Sequence, residues 1–168
     1  MDGVLERVDD RSVLRFRREL PHAREKVWRA LTEPSHLAAW FPTSIDGERA
    51  TGARLRFSFP EGEGDDFDGE MIAFEPPSLL EFRWGTDTLR FELEESGVNT
   101  ILVLTDTFDE VGKAARDAAG WHACLDVLEH ELAGTTAPWT PTERWSDVHD
   151  GYVESFGSEA STIGPPGA

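Results

Sequence analysis

The sequence predicts an α+β fold in which a curved antiparallel sheet wraps around one long helix. In residues 113–133, apolar side chains recur at steps of three and four, at Ala114, Ala118, Trp121, Leu125, Leu128 and Leu132. These steps place them along one stripe of a 3.6-residue helix. The segments before this helix mostly alternate apolar and polar residues, which is typical of half-buried strands. A long amphipathic helix after a run of antiparallel strands indicates a sheet curved around that helix.

Local patterns predict the elements before the long helix. Residues 12–20 alternate and form a first strand, which Pro21 ends. Two short helices follow, one over 24–31 and one beginning near Pro34, because proline suits the first helical position. Pro42 stops the second helix. Further strands are predicted at 45–50, 53–59, 67–74, 79–84, 88–94 and 99–107.

The predicted organisation is one domain with an additional helix. We expect a flexible N-terminus over 1–11, the sheet-and-helix domain over 12–134, a C-terminal helical extension over 135–156 and a flexible tail over 157–168. Thr140 and Glu143 have the spacing of a capping box, and Trp145, Val148, Tyr152 and Phe156 then fall at helical spacing. This extension would pack on the outside of the domain, or serve as the interface of a homodimer or another protein partner.

Composition restricts the classes of partner and compartment. The 168-residue chain has a formal net charge of −17, which repels nucleic-acid phosphates and anionic membranes, so neither is expected as a partner. A single cysteine, Cys124, excludes an internal disulfide and fits a reducing cytosol. The sequence shows no signal-peptide pattern and no apolar run of about 20 residues. A soluble cytoplasmic protein is therefore predicted.

Three stretches carry a resemblance to a known family: PHAREKVWRALTEPSHLAAWF (21–41), FDGEMIAFEPPSLLEFRW (67–84) and GWHACLDVLEHEL (120–132). With the order of elements, they resemble the helix-grip fold of the SRPBCC superfamily, which includes START lipid-binding domains, pollen-allergen-like proteins and polyketide cyclases. Within it, the chain is most similar to the branch named for the activator of the heat-shock-protein ATPase (AHSA-type). The resemblance covers roughly residues 12–132 and leaves the C-terminal helix outside.

The resemblance implies a deep cavity between the long helix and the concave face of the sheet. Such proteins commonly bind hydrophobic small molecules, so we predict an apolar or amphipathic ligand and no cofactor. The predicted ligand-binding residues face inward: Trp40, Phe57, Phe82, Trp84, Leu89, Phe91, Trp121, Leu125 and Leu128. Seventeen aromatic residues in one domain of this size favour a concave apolar site, and the alternative is that these side chains simply pack as core.

Two groups of candidate metal ligands are interpreted as surface features. His122, Asp126 and His130 lie at i, i+4 and i+8 of the long helix, and a span of ~12 Å prevents both histidines from reaching one ion. We interpret them as a solvent-exposed face. Asp66 and Asp68 fit an EF-hand-like loop, but its first position is a glycine and a strand follows, so a solvated turn is predicted. No metal site is therefore assigned.

The sequence assigns no catalytic residue. Cys124 and His122 are two residues apart and point to different helix faces, and no nucleophile elbow, P-loop or dinucleotide fingerprint appears. The strand carboxylates Glu70, Glu81 and Asp106 could act as general acids or bases if one faced a cavity, and the favoured interpretation is that they face outward. The main hypothesis is small-molecule binding. The alternatives are a cyclase- or hydrolase-like enzyme using the same cavity, and a co-chaperone-like or dimerising interaction module.

Overall fold

The computed structural model of this protein describes residues 2–165. In the described chain, eight antiparallel strands form one sheet in the order β1-β2-β8-β7-β6-β5-β4-β3. The strands are β1 Val4–Val8, β2 Arg11–Leu20, β3 Ser44–Asp46, β4 Arg54–Ser58, β5 Phe67–Glu75, β6 Leu79–Trp84, β7 Asp87–Ser96 and β8 Asn99–Phe108. The helices are α1 Arg24–Thr32, α2 Pro34–Trp40, α3 Ala114–Ala133 and α4 Pro141–Phe156. The α+β helix-grip prediction is confirmed.

Helix α3 is the element around which the sheet is arranged. Its apolar stripe, including Trp121, Leu125 and Leu128, is buried in the same cluster as the inward-facing side chains of the strands. The helix ends at Gly134, where φ is 70° and the backbone N–H donates to the carbonyl of Glu131. Glycine adopts this left-handed conformation without a Cβ clash, which explains why the helix stops there.

The segment expected to be flexible at the N-terminus contains a strand. β1 pairs with β2, with Val4 opposite Arg15 and Val8 opposite Arg11. The connecting turn places Asp9 and Asp10 at φ 48° and 67°, a conformation that aspartate tolerates better than most residues. The sequence patterns did not predict β1, because this strand lies at the edge of the sheet. Val4 and Val8 remain about half exposed, so the strand lacks a clean alternation of buried and exposed residues.

The predicted C-terminal helix is present as α4. The Thr140 hydroxyl accepts from the Glu143 N–H while the Glu143 carboxylate accepts from the Thr140 N–H, so the capping box is complete. α4 packs against α3 and buries Val148 and Tyr152. The hydroxyl of Tyr152 accepts a hydrogen bond of 3.1 Å from the N–H of Gly3, which connects the two ends of the chain.

The segment after α4 was expected to be a flexible tail. Its described part includes a 3-10 turn over Ser158–Ser161, in which Ala160 is buried. The N–H of Ile163 donates to the carbonyl of Gly112, 3.0 Å away, at the start of α3. Residues 166–168 lie outside the described residues. The described part of the tail therefore returns to the domain beside α3.

Candidate functional site

A pocket of about 490 Å³ lies between the first half of α3 and the turn that joins β6 to β7. Its volume falls within the range of small-molecule sites, about 300–1,000 Å³. The lining divides into an apolar part and a polar end. The apolar part consists of Pro42, Phe59, Phe67, Trp84, Gly85, Gly120, Trp121, Cys124 and Trp145, and the polar end of Thr86, Asp87, Lys113, Arg116 and Asp117. We call this space the aromatic pocket.

The tryptophans of the aromatic pocket are fixed by hydrogen bonds of their indole N–H groups. Trp84 donates to the hydroxyl of Thr43 over 3.1 Å, and Trp145 of α4 donates to the carbonyl of Arg116 over 3.0 Å. The ring of Trp121 lies 5.5 Å from that of Trp84, between centroids. These partners restrict rotation of the indole rings and hold them at the wall of the pocket.

Two of the nine predicted ligand-binding residues, Trp84 and Trp121, line the aromatic pocket. The structure places the other seven in the hydrophobic core, each less than 5% exposed: Trp40, Phe57, Phe82, Leu89, Phe91, Leu125 and Leu128. The space between the sheet and the second half of α3, which contains Leu125 and Leu128, is therefore filled by side chains. The aromatic pocket lies at the end of α3 near the β6–β7 turn.

Phe41, the residue after α2, fills the interior next to the pocket. It is 6% exposed. Its ring centroid lies 5.4–6.5 Å from those of five other aromatic residues: Trp40, Phe82, Trp84, Phe91 and Trp121. Two of these five line the pocket, so Phe41 forms the partition between the pocket and the core.

The polar end of the pocket combines carboxylates with two basic side chains. The ammonium of Lys113 lies 2.5 Å from an oxygen of Asp87 and 3.6 Å from one of Asp117. The guanidinium of Arg116 lies 2.8 Å from Asp117. Asp87 begins β7, and Lys113 and Asp117 lie at the start of α3, so the close approach of β7 and α3 creates this group. Both basic side chains are already paired with carboxylates.

Asp106 on β8 is buried directly behind this polar end. It is 1% exposed, and its Oδ2 accepts a 2.9 Å hydrogen bond from the indole N–H of Trp121. Its Oδ1 accepts no hydrogen bond from a described residue, and the protonated carboxyl of Asp106 shares a hydrogen bond with the carboxylate of Asp87. Burial, reinforced by the neighbouring charge of Asp87, raises the pKa of Asp106 well above its ordinary value. Burial also raises the pKa of Asp117, although Arg116 and Lys113 oppose that effect.

The interpretation of Asp106 as outward-facing is wrong. Alternate residues of β8, namely Leu102, Leu104, Asp106 and Phe108, all face the core. This period of two was present in the sequence and could have identified an inward carboxylate. Of the two other strand carboxylates, Glu70 is exposed and Glu81 is half-buried, which suits surface positions.

Carboxyl oxygens of Asp87, Asp106 and Asp117 lie within 4.8 Å of one another, and we call these three residues the acidic cluster. Oxygen atoms at this spacing could hold a metal cation. The ammonium of Lys113 already contacts two of the three residues. A metal ion would therefore have to replace the existing positive charge.

The interpretation of His122 and Asp126 as a solvent-exposed face is wrong, because α4 and the N-terminus cover them. His122 is 8% exposed, and its Nδ1 lies 2.8 Å from the hydroxyl of Tyr152. Asp126 accepts hydrogen bonds of 2.6 Å from both Arg18 and Arg144. Sequence analysis missed these contacts because the covering elements lie far away in the chain. These side chains hold the two ends of the protein against α3.

The remaining candidates have simpler surroundings. Asp66 and Asp68 lie 3.7 and 2.7 Å from the exposed guanidinium of Arg56, which fits the predicted solvated turn. Cys124 is on the wall of the aromatic pocket, and burial raises the pKa of its thiol to about 12. A thiol with this pKa stays protonated near neutral pH and is a weak nucleophile.

The curved sheet, the helix it holds and the pocket between them define a helix-grip domain of the SRPBCC superfamily. Residues 21–133 match the family described as "Activator of Hsp90 ATPase homolog 1-like protein", and the chain belongs to this family. The AHSA-type resemblance is therefore confirmed. No curated protein sequence matches the chain. In the described residues, no helix is long and apolar enough to cross a bilayer.

Solved structures share the fold along most of the chain. The conserved protein of unknown function EF2215 from Enterococcus faecalis has a TM-score of 0.75 at 22% identity, covering 93% of this chain and 91% of its own. CalU16 from Micromonospora echinospora has a TM-score of 0.71 at 19% identity, covering 90% and 94%. The protein encoded by gene BPP1335 from Bordetella parapertussis has a TM-score of 0.69 at 26% identity, covering 90% and 85%. These coverages extend the likeness beyond the residues that define the family.

Proposed function

We propose that this protein binds an amphipathic small molecule in the aromatic pocket. The supporting observation is the division of the pocket into aromatic walls and one polar end. The apolar part of the ligand would lie between Trp84 and Trp121, and its polar group would approach Asp87 and Lys113. Burial of apolar surface contributes about 25 cal/mol per Å². The fixed tryptophan rings reduce the ordering cost of binding.

Gly120 provides a test that separates binding from stability. This residue lies on α3 and lines the pocket, and a Cβ built there meets no described heavy atom within 4 Å. Gly120→Leu would place a branched apolar side chain in the pocket and occupy part of the space that a ligand needs. Replacing a helical glycine also favours the helix, by up to about 1 kcal/mol. The variant should therefore lose ligand binding and keep or raise its thermal stability.

The measurement is a fluorescence titration of the native protein with the dye ANS and with n-alkanols, following tryptophan emission. Gly120→Ala is the matched control, because it gains the same helical preference and adds only one methyl group. Saturable binding by the wild type and by Gly120→Ala, with loss in Gly120→Leu, is the expected result. Equal binding by all three proteins would remove the aromatic pocket as the site.

An enzyme of the cyclase or hydrolase type is the second candidate, and the acidic cluster is the observation that favours it. Asp87 lines the pocket and lies beside Asp106, whose pKa is raised by burial. Carboxyl groups with raised pKa values serve as general acids near neutral pH. Turnover of a panel of aryl esters that is lost in Asp87→Asn, with ANS binding retained, would support this reading.

The interaction role suggested for the C-terminal helix stays a prediction. α4 uses Val148 and Tyr152 within its own chain, where both are buried against the domain. Its Trp145 contributes to the wall of the aromatic pocket. These contacts support α4 as a cover of the proposed ligand site more than as a surface for a partner.

A further inference from the structure

We infer that the ligand of the aromatic pocket is an uncharged amphiphile, whose head group both donates and accepts hydrogen bonds, as a hydroxyl group does. This inference rests on the proposed function and specifies the charge and the hydrogen-bonding chemistry of the ligand. It depends on three features of the polar end: equal numbers of acidic and basic side chains, the short distances between them, and the hydrogen-bonding capacity that remains for a neutral group.

The charged residues that line the pocket balance each other. Two of them are the carboxylates of Asp87 and Asp117, and two are the basic groups of Lys113 and Arg116. Asp106 lies behind this lining, where its protonated carboxyl shares a hydrogen bond with Asp87 and adds no charge. A charged head group would therefore give the polar end a net charge, whereas an uncharged head group would preserve the balance.

Each of these four charges is already paired. The ammonium of Lys113 lies 2.5 Å from Asp87 and 3.6 Å from Asp117. The guanidinium of Arg116 lies 2.8 Å from Asp117. The four side chains are only 5–25% exposed, so water screens the pairs weakly. An ionic head group would compete with one member of a pair and leave the other member without its partner, which is strongly unfavourable where screening is weak.

An uncharged head group can bind beside Lys113 and Asp87 without separating them. The ammonium has three N–H donors, of which one is used in the hydrogen bond to Oδ1 of Asp87. A carboxylate has about four acceptor positions. At Asp87, the described donors are Lys113, Thr86 and Asp106, which leaves a position for the ligand. A hydroxyl group can therefore accept from Lys113 and donate to Asp87 at the same time.

The tryptophans of the walls restrict the polar contacts of the ligand to this one end. The indole N–H groups of Trp84, Trp121 and Trp145 all donate within the chain. These residues therefore offer ring surface to a ligand rather than hydrogen-bond donors. A ligand that fits both parts of the pocket has one neutral polar group, and the rest of it is apolar.

The test compares octanol, octanoate and octylammonium, which share one alkyl chain and differ in the charge of the head group. Isothermal titration below the micellar concentrations measures each Kd for the wild-type protein. The pH is set to about 7, where octanoate is ionised and octylammonium is protonated. We expect octanol to bind about tenfold or more tightly than either ion, because it separates no pair and loses no ionic hydration.

Two variants test whether the balance of charges causes this preference, since any apolar pocket disfavours ions to some extent. Asp117→Asn leaves an excess of positive charge, so the affinity for octanoate relative to octanol should rise about tenfold. Arg116→Gln leaves an excess of negative charge, so octylammonium should gain by about the same factor relative to octanol. Asp109→Asn is the matched control, because it removes an acid whose side chain is 80% exposed, and both ratios should then equal those of the wild type.

The outcomes separate this inference from the proposed function. Circular dichroism shows whether each variant keeps the fold, and the wild-type comparison does not depend on the variants. Wild-type binding of octanoate or octylammonium as tight as that of octanol would overturn this inference and leave the proposed function standing. An unchanged affinity ratio in a folded Asp117→Asn or Arg116→Gln variant would overturn it too. Absence of saturable binding by all three ligands would overturn the proposed function itself.

Discussion

Phe41→Ala tests whether the ring of Phe41 forms the boundary between the aromatic pocket and the hydrophobic core. An aromatic side chain buries about 150–250 Å². At about 25 cal/mol per Å², full loss of that burial corresponds to roughly 4–6 kcal/mol. Since alanine retains the Cβ, and since Phe41 is 6% exposed, a loss of about 3–5 kcal/mol in the free energy of unfolding is expected.

The same substitution should lengthen the space available to a ligand. Removal of the Phe41 ring opens a gap behind Trp84 and Trp121, which it contacts. Each additional buried methylene contributes about 0.8 kcal/mol, or roughly fourfold in Kd. In Phe41→Ala, the affinity for n-alkanols should keep rising at chain lengths where the wild-type affinity has levelled off.

Urea unfolding followed by circular dichroism gives the stability change, and tryptophan fluorescence gives the chain-length series. Phe16→Ala is the matched control, because Phe16 is also buried, at 1% exposed, but packs against Tyr152. Both variants should lose similar stability, and only Phe41→Ala should change the chain-length profile. The reasoning fails if Phe41→Ala costs less than about 1 kcal/mol, or if Phe16→Ala shifts the profile equally. Phe41→Leu offers a smaller opening should the alanine variant not remain folded.

Three further substitutions test individual contacts by urea unfolding. Burial raises the pKa of Asp106 above 3.8, so the native state holds this proton more tightly than the unfolded chain. The free energy of unfolding should therefore fall as the pH rises above that value. Asp106→Asn should remove this fall, and parallel plots of unfolding free energy for wild type and variant from pH 4.5 to 8 would contradict the prediction. Tyr152→Phe removes the hydroxyl that accepts from Gly3, and the free energy of unfolding should fall by about 1–3 kcal/mol. A fall of less than about 0.5 kcal/mol would show that another group, for instance water, replaces the contact. Thr140→Ala removes the cap of α4 and should cost about 1 kcal/mol, with Thr142→Ala as the control that should cost less.

The fold could be predicted because its main elements have strong local periodicity. The apolar stripe of α3 and the alternation in β2, β4 and β7 follow directly from residue spacing. β1 could not be identified in this way, because an edge strand buries little of either face. Its position depends on pairing with β2 through a turn of two aspartates.

The site could be predicted only in part, because cavities depend on how side chains fill space in three dimensions. Trp84 and Trp121 were identified, whereas Phe41 was not among the predicted ligand-binding residues. Local spacing does not reveal that its ring meets five others. Asp106 could have been placed inward from the alternation of β8, because Leu102, Leu104 and Phe108 lie on the same face.

The hydrogen bond from Gly3 to Tyr152 spans 149 positions of the chain. During synthesis Gly3 emerges long before Tyr152, so this contact cannot form until α4 has left the ribosome. Closure of such a distant contact comes late and slowly, because a large loop loses entropy when its ends meet. A nascent chain arrested before residue 152 would therefore have β1 paired with β2 but would lack this contact with α4, which limits how early the domain can reach its final stability.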